Sequence, residues 1–525
     1  MQPSSSFRLL VLAPLVSDLE PSKPPVPVSI ERMDIDEVMG HLTPRLHFRS
    51  TVGSDSIPMT LEPRSLKDFK PDQIARRAPA LTTIQNALDF YRESRKEGMS
   101  ESDIRARMDA WPHLPPLQWP EKPAPREDTD GSTSSDPLSN LLDMVAMPTE
   151  PSGKTATATH RSIEDQIQTV LSEALEAIID DAGFKSLEAT WRGLDLLIRS
   201  ARDQESIEIE VLPISPESLD GIIDDITPSL IERLPQLILI DTPIENSAPH
   251  LETLQKIAAL SETLMVPTVI WTPSRFFGLD SWRELSSLSY IPHLLEEPRF
   301  AKWQSLRRTD SSHWLCAACN RFLIRHRYGP DNPIRMAPLR ENTPLWISPV
   351  WAIGALIAKS ISHGGWPTRF TDHQRVFLED LALETTPRND RLPTEAEISE
   401  NRLHQLVKAG FVPLIAFRNR DIAFCPAETT LAGSSFNRQL LMTMTIQSLL
   451  SCRESSSPNV HPAEIKRLIE QTLLDRFSHH GDSPQEIRVV SEDPETGEPV
   501  TVHVTLRLSR AILPDGRPIE LGFSW

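Results

Sequence analysis

Polar and apolar residues alternate with a period of two near the end of the chain. Val500, Val502, Val504, Leu506 and Leu508 face one way, and Thr501, His503, Thr505 and Arg507 the other. This is the pattern of a half-buried β-strand. "IRVVS" before it and "IELGFSW" after it, with turn-forming "EDPETGEP" and "PDG" between, predict a three-stranded meander over residues 486–525. A bare strand edge recruits another chain, so such an edge is either covered or used. "FRLLVLAPL", containing Leu9 and Val11, predicts another strand near the start.

Elsewhere the helical period dominates. Ile163, Ile167, Val170, Leu171, Ala174, Leu175, Ile178 and Ile179 keep one face for about four turns, and "LEATWRGLDLLIRSA" predicts a second helix. In that helix Trp191 and Leu194 share a face, Gly193 permits close approach of a neighbouring helix, and Arg192 is placed to pair with an acidic neighbour. "SIEIEVLPI" alternates as a strand does. "QLILID" and "TVIWTP" are short and almost wholly apolar, the look of strands covered on both faces. Helices interleaved with strands predict an α/β (α+β) class with mixed sheets and packed helices.

Composition divides the chain into four segments. Residues 1–110 read as a small α/β unit, with the helix "DIDEVMGHL" opening at Asp34 or Asp36, the short strands "RLHFRS" and "MTLEP", and the helix "ALTTIQNALDFYRES". Residues 111–161 are rich in Pro, Ser, Thr and charge. They predict a linker, because such a stretch buries too little apolar surface to offset its ordering entropy. Inside it, "DPLSNLLDMVAMP" predicts a short helix over 137–147 with Leu138, Leu141, Leu142 and Val145 on one face. That face suits docking on its own body or in a partner's groove. Residues 162–485 form a larger α/β unit, and 486–525 the meander.

The net charge of −19 and the lack of a basic run argue against nucleic acid as a partner. No stretch of about 18 uninterrupted apolar residues occurs, so no membrane-spanning helix is expected. Four cysteines in 525 residues make no disulfide framework, which fits a reducing cytoplasm. Phosphate-loop, dinucleotide, zinc-protease and serine-hydrolase motifs are absent from the sequence. One formal hit remains, Cys316-Ala-Ala-Cys319, which in principle places two sulfurs for a metal or for disulfide exchange. The other cysteines, Cys425 and Cys452, stand too far along the chain to form a second ligand pair. No cofactor is expected. The acidic clusters "IERMDIDE" and "IIDDI" read as helix starts and solvated faces, and the scattered tryptophans as core.

Two sets of residues carry a family resemblance. Val38, Met39, Pro44, Arg45, Leu46, Phe48, Asp68, Phe69, Pro71, Asp72, Pro79 and Leu81 resemble the pattern of the small sheath subunit of bacterial type VI secretion systems. Glu188, Trp191, Arg192, Gly193 and Leu194, then Arg321, Phe322, Leu323, Arg325, Tyr328 and Gly329, then Gly410, Phe411, Pro413 and Leu414, resemble the large sheath subunit in that family's own order. The chain thus looks like both subunits fused end to end. The resemblance implies a non-enzymatic, cytoplasmic, structural protomer that polymerises with its own kind around an inner tube, meets a baseplate, and contracts. It further implies that terminal strands are shared between protomers, here those of Leu9 and Val11 and of Val500, Val502, Val504 and Leu506. The linker helix stands where the family offers a helix to a ClpV-type AAA+ unfoldase. Trp191, Arg192, Gly193, Pro44 and Phe69 are expected to be structural. The alternatives are a sheath-like adaptor or baseplate piece that forms no long tubes, and a metal or redox protein using Cys316 and Cys319.

Overall fold

The computed structural model describes residues 6–16, 26–30, 33–52, 55–119, 162–202, 206–215, 217–387, 389–456, 461–478, 482–492 and 500–525. Its strands are β1 (Phe7–Ala13), β2 (Val28–Ser29), β3 (Leu46–Val52), β4 (Asp55–Leu61), β5 (Ile207–Pro213), β6 (Leu237–Pro243), β7 (Thr268–Trp271), β8 (Leu315–Cys319), β9 (Glu384–Thr385), β10 (Arg391–Leu392), β11 (Phe411–Pro413), β12 (Ile415–Ala416), β13 (Ala423–Phe424), β14 (Glu486–Glu492), β15 (Thr501–Arg507) and β16 (Ile519–Ser524). The helices used below are α1 (Ile35–Leu42), α2 (Pro71–Arg77), α3 (Pro79–Lys96), α4 (Glu101–Asp109), α5 (Ile163–Ile179), α6 (Ala182–Ala201), α7 (Leu219–Glu232), α8 (Ala248–Leu264), α9 (Pro349–Gly364), α10 (Phe436–Ser455) and α11 (Pro462–Phe477).

A seven-stranded sheet runs in the order β11-β8-β7-β6-β1-β5-β2, parallel throughout except for β2. Strands covered on both faces need apolar residues at successive positions, and these strands have them. Leu9, Val11, Leu237 and Leu239 belong to one core, with α5, α6 and α9. Leu10, Leu12, Ile238 and Ile240 belong to the core on the other face, with α7, α8 and the aromatic group Phe276, Phe277, Trp303 and Phe411.

This placement corrects the expectation for Leu9 and Val11. Leu9 stands between Ile209 and Leu237, and Val11 between Val211 and Leu239, so β1 spends both of its ladder sides inside its own chain. The unbroken run of buried residues from Leu9 to Ala13 is the mark of a central strand, not of an edge. β1 also places residues from the first segment in the middle of a sheet built by the larger unit. The composition change after residue 110 therefore separates stretches of sequence and not independently folded bodies. Leu138, Leu141, Leu142 and Val145 lie outside the described residues.

Local chemistry sets the element starts. Asp34, one of the two caps considered, accepts from the Glu37 N–H at 2.9 Å, and the Glu37 side chain accepts from the Asp34 N–H at 3.0 Å. This reciprocal box satisfies two donors that the first helical turn leaves free. α6 and α9 cross at very short range. A methyl added at Gly193 would stand 2.4 Å from Trp351 Cγ, and one at Gly354 would stand 2.5 Å from Leu239 Cδ1. Trp191 is fully buried and donates from Nε1 to the Leu15 carbonyl at 3.1 Å, tying α6 to the end of β1.

Candidate assembly surface and the joint behind it

The C-terminal residues form a separate three-stranded antiparallel sheet in the order β14-β15-β16. Val489, Val502, Val504, Leu506 and Ile519 are buried in the same core as Ile465, Ile469, Leu473 and Phe477 of α11. The opposite face carries Arg488, His503, Arg507 and Glu520, all exposed. β15 is the middle strand. The expectation that Val500, Val502, Val504 and Leu506 themselves present a shared edge is thus corrected, because β15 pairs along its length with both β14 and β16. The alternation in the sequence reports one buried face and is silent about which strand lies outside.

The edges belong to β14 and β16, and the hydrogen-bond phase says which groups they offer. Opposed residues in an antiparallel pair alternate between bonded and non-bonded pairs. The Trp525 N–H donates to the Val500 carbonyl at 2.9 Å, so Val502↔Phe523, Val504↔Leu521 and Leu506↔Ile519 are the bonded pairs. On β16, the main-chain groups of Glu520, Gly522 and Ser524 therefore point away from the sheet. By the same phase, those of Ile487, Val489 and Ser491 point outward from β14. Among the described residues, no strand pairs with either edge.

The β3-β4 hairpin offers a contrast. Its β3 packs on α5, and its β4 carries Pro58 opposite Arg49. Proline removes a ladder donor and is a usual device for blunting an edge. Neither β14 nor β16 contains one.

Within the larger unit, buried charge joins α6 to the loop after β8. Glu188 and Glu341 are fully buried on either side of Arg325, which bonds Glu188 at 2.8 and 2.9 Å and Glu341 at 2.7 and 3.0 Å. Arg192 adds a second guanidinium on Glu188 at 2.8 Å, the acidic partner expected for it. Burial pushes the Glu188 carboxyl up, but Arg325 and Arg192 outweigh it and hold that carboxyl below its ordinary range. Tyr328 lies under the Arg325 guanidinium at 4.6 Å, and burial pushes its hydroxyl up to about 12.

The loop that follows Arg325 then spends backbone donors on α2 and on the C-terminal end of α5. Met336 N–H reaches Asp72 at 3.1 Å, Arg340 N–H reaches Glu176 at 2.8 Å, and Asn342 N–H reaches Asp180 at 3.0 Å. Asp72 sits at the start of α2, in the first segment. Phe69 completes the joint by packing edge-to-face on Phe184 at 5.7 Å, and Pro44 is buried nearby in sequence. The "RFL.R..YG" pattern pointed to Arg325, but nothing in the sequence linked it to Glu341 or gave the loop its role. Those pairings exist only once the sheet has brought α6 and the loop together.

The cysteine pair does not converge. Cys316 and Cys319 lie on β8, and residues three apart on a strand face opposite ways. Cys316 belongs to one core and Cys319 to the other. Burial drives both thiols well above their ordinary values, the reverse of a reactive thiolate. This overturns the metal or redox alternative that rested on the pair. Among the described residues, no cluster of His, Cys, Asp and Glu could hold a metal ion, and no helix is long and apolar enough to cross a membrane.

Comparison with known proteins identifies the family. The family model of VipB (EvpB/VC_A0108, tail sheath N-terminal domain) matches residues 161–228 and 236–432, and the VipA model of the type VI secretion system matches residues 6–99. The type VI secretion system sheath protein TssC1 of Pseudomonas aeruginosa is 26% identical over 298 residues, 50% of this chain and 60% of that protein, so the chain spans less than two thirds of that relative. Among solved structures, a chain of the anti-feeding prophage baseplate aligns over 63% of this chain and 76% of its own at 9% identity and a TM-score of 0.35. The sheath tail protein of Desulfitobacterium hafniense aligns over 58% of this chain and 60% of its own at 7% identity and a TM-score of 0.33. With the VipB pattern running from α5 to the turn before α10 and the VipA pattern filling the segment ahead of it, the chain belongs to the type VI secretion sheath family and joins its small and large subunits in one polypeptide.

Proposed function

We propose that the chain is the structural protomer of a contractile sheath. Copies join by strand addition at the outer edges of β14 and β16, enclose an inner tube, and contract by changing lattice packing to drive it. The observation that carries this reading is the contrast between the β3-β4 hairpin and the β14-β15-β16 sheet. β4 is blunted by Pro58, whereas β14 and β16 leave outward main-chain groups free of proline. Strand addition supplies a row of main-chain hydrogen bonds, and alternate side chains fix the register. The covalent joining of the halves suits such a lattice, since a tether keeps both at an effective concentration of roughly millimolar.

The baseplate and the inner tube are the remaining partners in this reading, and the cytoplasm its compartment. The linker face of Leu138, Leu141, Leu142 and Val145 is the proposed contact for a ClpV-type unfoldase. Pull-down of that unfoldase by the wild-type chain, abolished by Leu141→Asp with Leu142→Asp, supports the contact; unchanged capture removes it. Electron microscopy of the purified chain tests the main reading. Long ordered tubes are expected, and discrete particles under every condition would overturn it.

A further inference from the structure

The C-terminal sheet packs on α11 and is also fastened, at both of its ends, to one short turn of the body. The chain leaves α9 at Gly364 and Gly365 and makes the turn Trp366–Arg369. Trp366 donates from Nε1 to Asp482 Oδ2 at 3.1 Å, just ahead of β14, and stacks on Phe477 at the end of α11 with centroids 5.7 Å apart. Thr368 donates to the Ile512 carbonyl in the connection between β15 and β16. Arg369 reaches both sides at once, with Nε donating to the Ala511 carbonyl at 2.7 Å and Nη2 standing 3.3 Å from Asp482. Gly364 leaves room for this guanidinium, since a methyl there would stand 3.1 Å from Arg369 Nη1. Ile512 and Leu513 are buried, and Arg438 of α10 closes the far side through the Pro518 carbonyl at 2.7 Å and Asp515 at 2.9 Å.

We propose that the turn Trp366–Arg369 is a hub that sets the pose of the assembly sheet, with Arg369 as its principal positioning residue. The residue ahead of the entering strand is held by Trp366 and Arg369, and the connection between β15 and β16 by Thr368 and Arg369, so Arg369 alone serves both. The outward edges of β14 and β16 therefore inherit their direction from the end of α9. α9 in turn is seated against the central sheet and α6 through Gly354 and Gly193, so the hub links the body of the protomer to the edges that meet its neighbours. Its relevance to assembly rests on the reading given under Proposed function, whereas the fastening itself is a property of the single chain.

Amide hydrogen exchange on the purified full chain tests the fastening. Arg369→Ala and Asp482→Asn are expected to speed exchange about tenfold or more in 485–492 and 508–516 while β6 keeps its wild-type protection. Unchanged rates in those two stretches would overturn the hub, and so would an equal acceleration in β6, which would mean that the turn is merely part of one cooperative core. If Arg369→Ala does not fold, Arg369→Lys carries the same test. It keeps the charge, cannot serve both stems with one planar fork, and is expected to give about a threefold acceleration. In electron micrographs, Asp482→Asn tubes with altered or variable pitch support the hub, and tubes identical to wild type oppose it. A wild-type chain that never assembles counts against the shared edges and leaves the hub to be judged by exchange.

Discussion

Gly193→Ala probes the close crossing of α6 and α9. The added methyl would lie 2.4, 2.5 and 2.6 Å from three atoms of the Trp351 ring, against the roughly 3.5–4.0 Å at which carbons rest. The shortfall is about 1 Å, and the ring has little freedom to yield. Trp351 is fully buried, and its Nε1 donates to Asp241 at 2.7 Å. Overpacking of this kind costs about 3 kcal/mol at the upper end of its usual range. Disturbing a hydrogen bond to a buried carboxylate costs about 1–2 kcal/mol more. Replacing a mid-helix glycine returns about 1 kcal/mol. The net expectation is a loss of about 3–4 kcal/mol.

Two sister substitutions calibrate that figure. At Gly354 the methyl meets the tip of Leu239, a side chain that can rotate, so the change should fall near zero to about 1 kcal/mol destabilising. At Gly221, on the exposed face of α7, nothing lies within 4 Å, and Ala should stabilise by about 0.5 kcal/mol. Urea denaturation followed by tryptophan fluorescence should therefore rank the midpoints Gly221→Ala, wild type, Gly354→Ala, Gly193→Ala from highest to lowest. A Gly193→Ala midpoint at or above wild type would refute the close crossing.

The buried charges and thiols give further expectations. Arg325→Ala leaves Glu188 and Glu341 facing each other without their shared cation and should destabilise by about 3–5 kcal/mol in the same assay. Because the Glu188 carboxyl is held below its ordinary range, its contribution is complete above the unfolded value of about 4.3 and is lost as pH falls through the folded one. Glu188→Gln should thus melt lower than wild type at pH 7 yet lose less between pH 5 and pH 3; an unchanged acid slope would contradict this. A thiol reagent added to the native chain should label Cys452 alone, because Cys316, Cys319 and Cys425 are fully buried; rapid labelling of Cys316 or Cys319 would be incompatible with β8 at the centre of the sheet.

How much of this could be read in advance follows from the kind of signal each residue carries. The periods of β15 and α5 are local, so both elements were legible as written. The central place of β1 was legible too, in the apolar run from Leu9 to Ala13, but proximity to one end of the sequence suggested an edge instead. Alternation in β15 names its buried face, whereas its position between two strands depends on where β14 and β16 return, a tertiary fact. The same limit governs Cys316 and Cys319. Their spacing converges on a turn or a helix and diverges on a strand, so the element decides the chemistry. The loop after Arg325 and the hub at Trp366 carry no period at all. Their roles come from backbone donors and single side chains reaching segments more than a hundred residues away, as Arg369 reaches Ala511.

The outer edge of β16 is where one copy is proposed to join the next. Glu520→Pro removes an outward-pointing N–H and leaves the bonds of β15 to Leu521 and Ile519 in place, so the sheet should stay folded. Electron microscopy of this variant beside the wild-type chain, with circular dichroism showing equal strand content, is the most direct measurement. Ordered tubes from the wild type and only discrete particles from Glu520→Pro are predicted; tubes of equal length and order from both would contradict the claim that this edge joins one copy to the next.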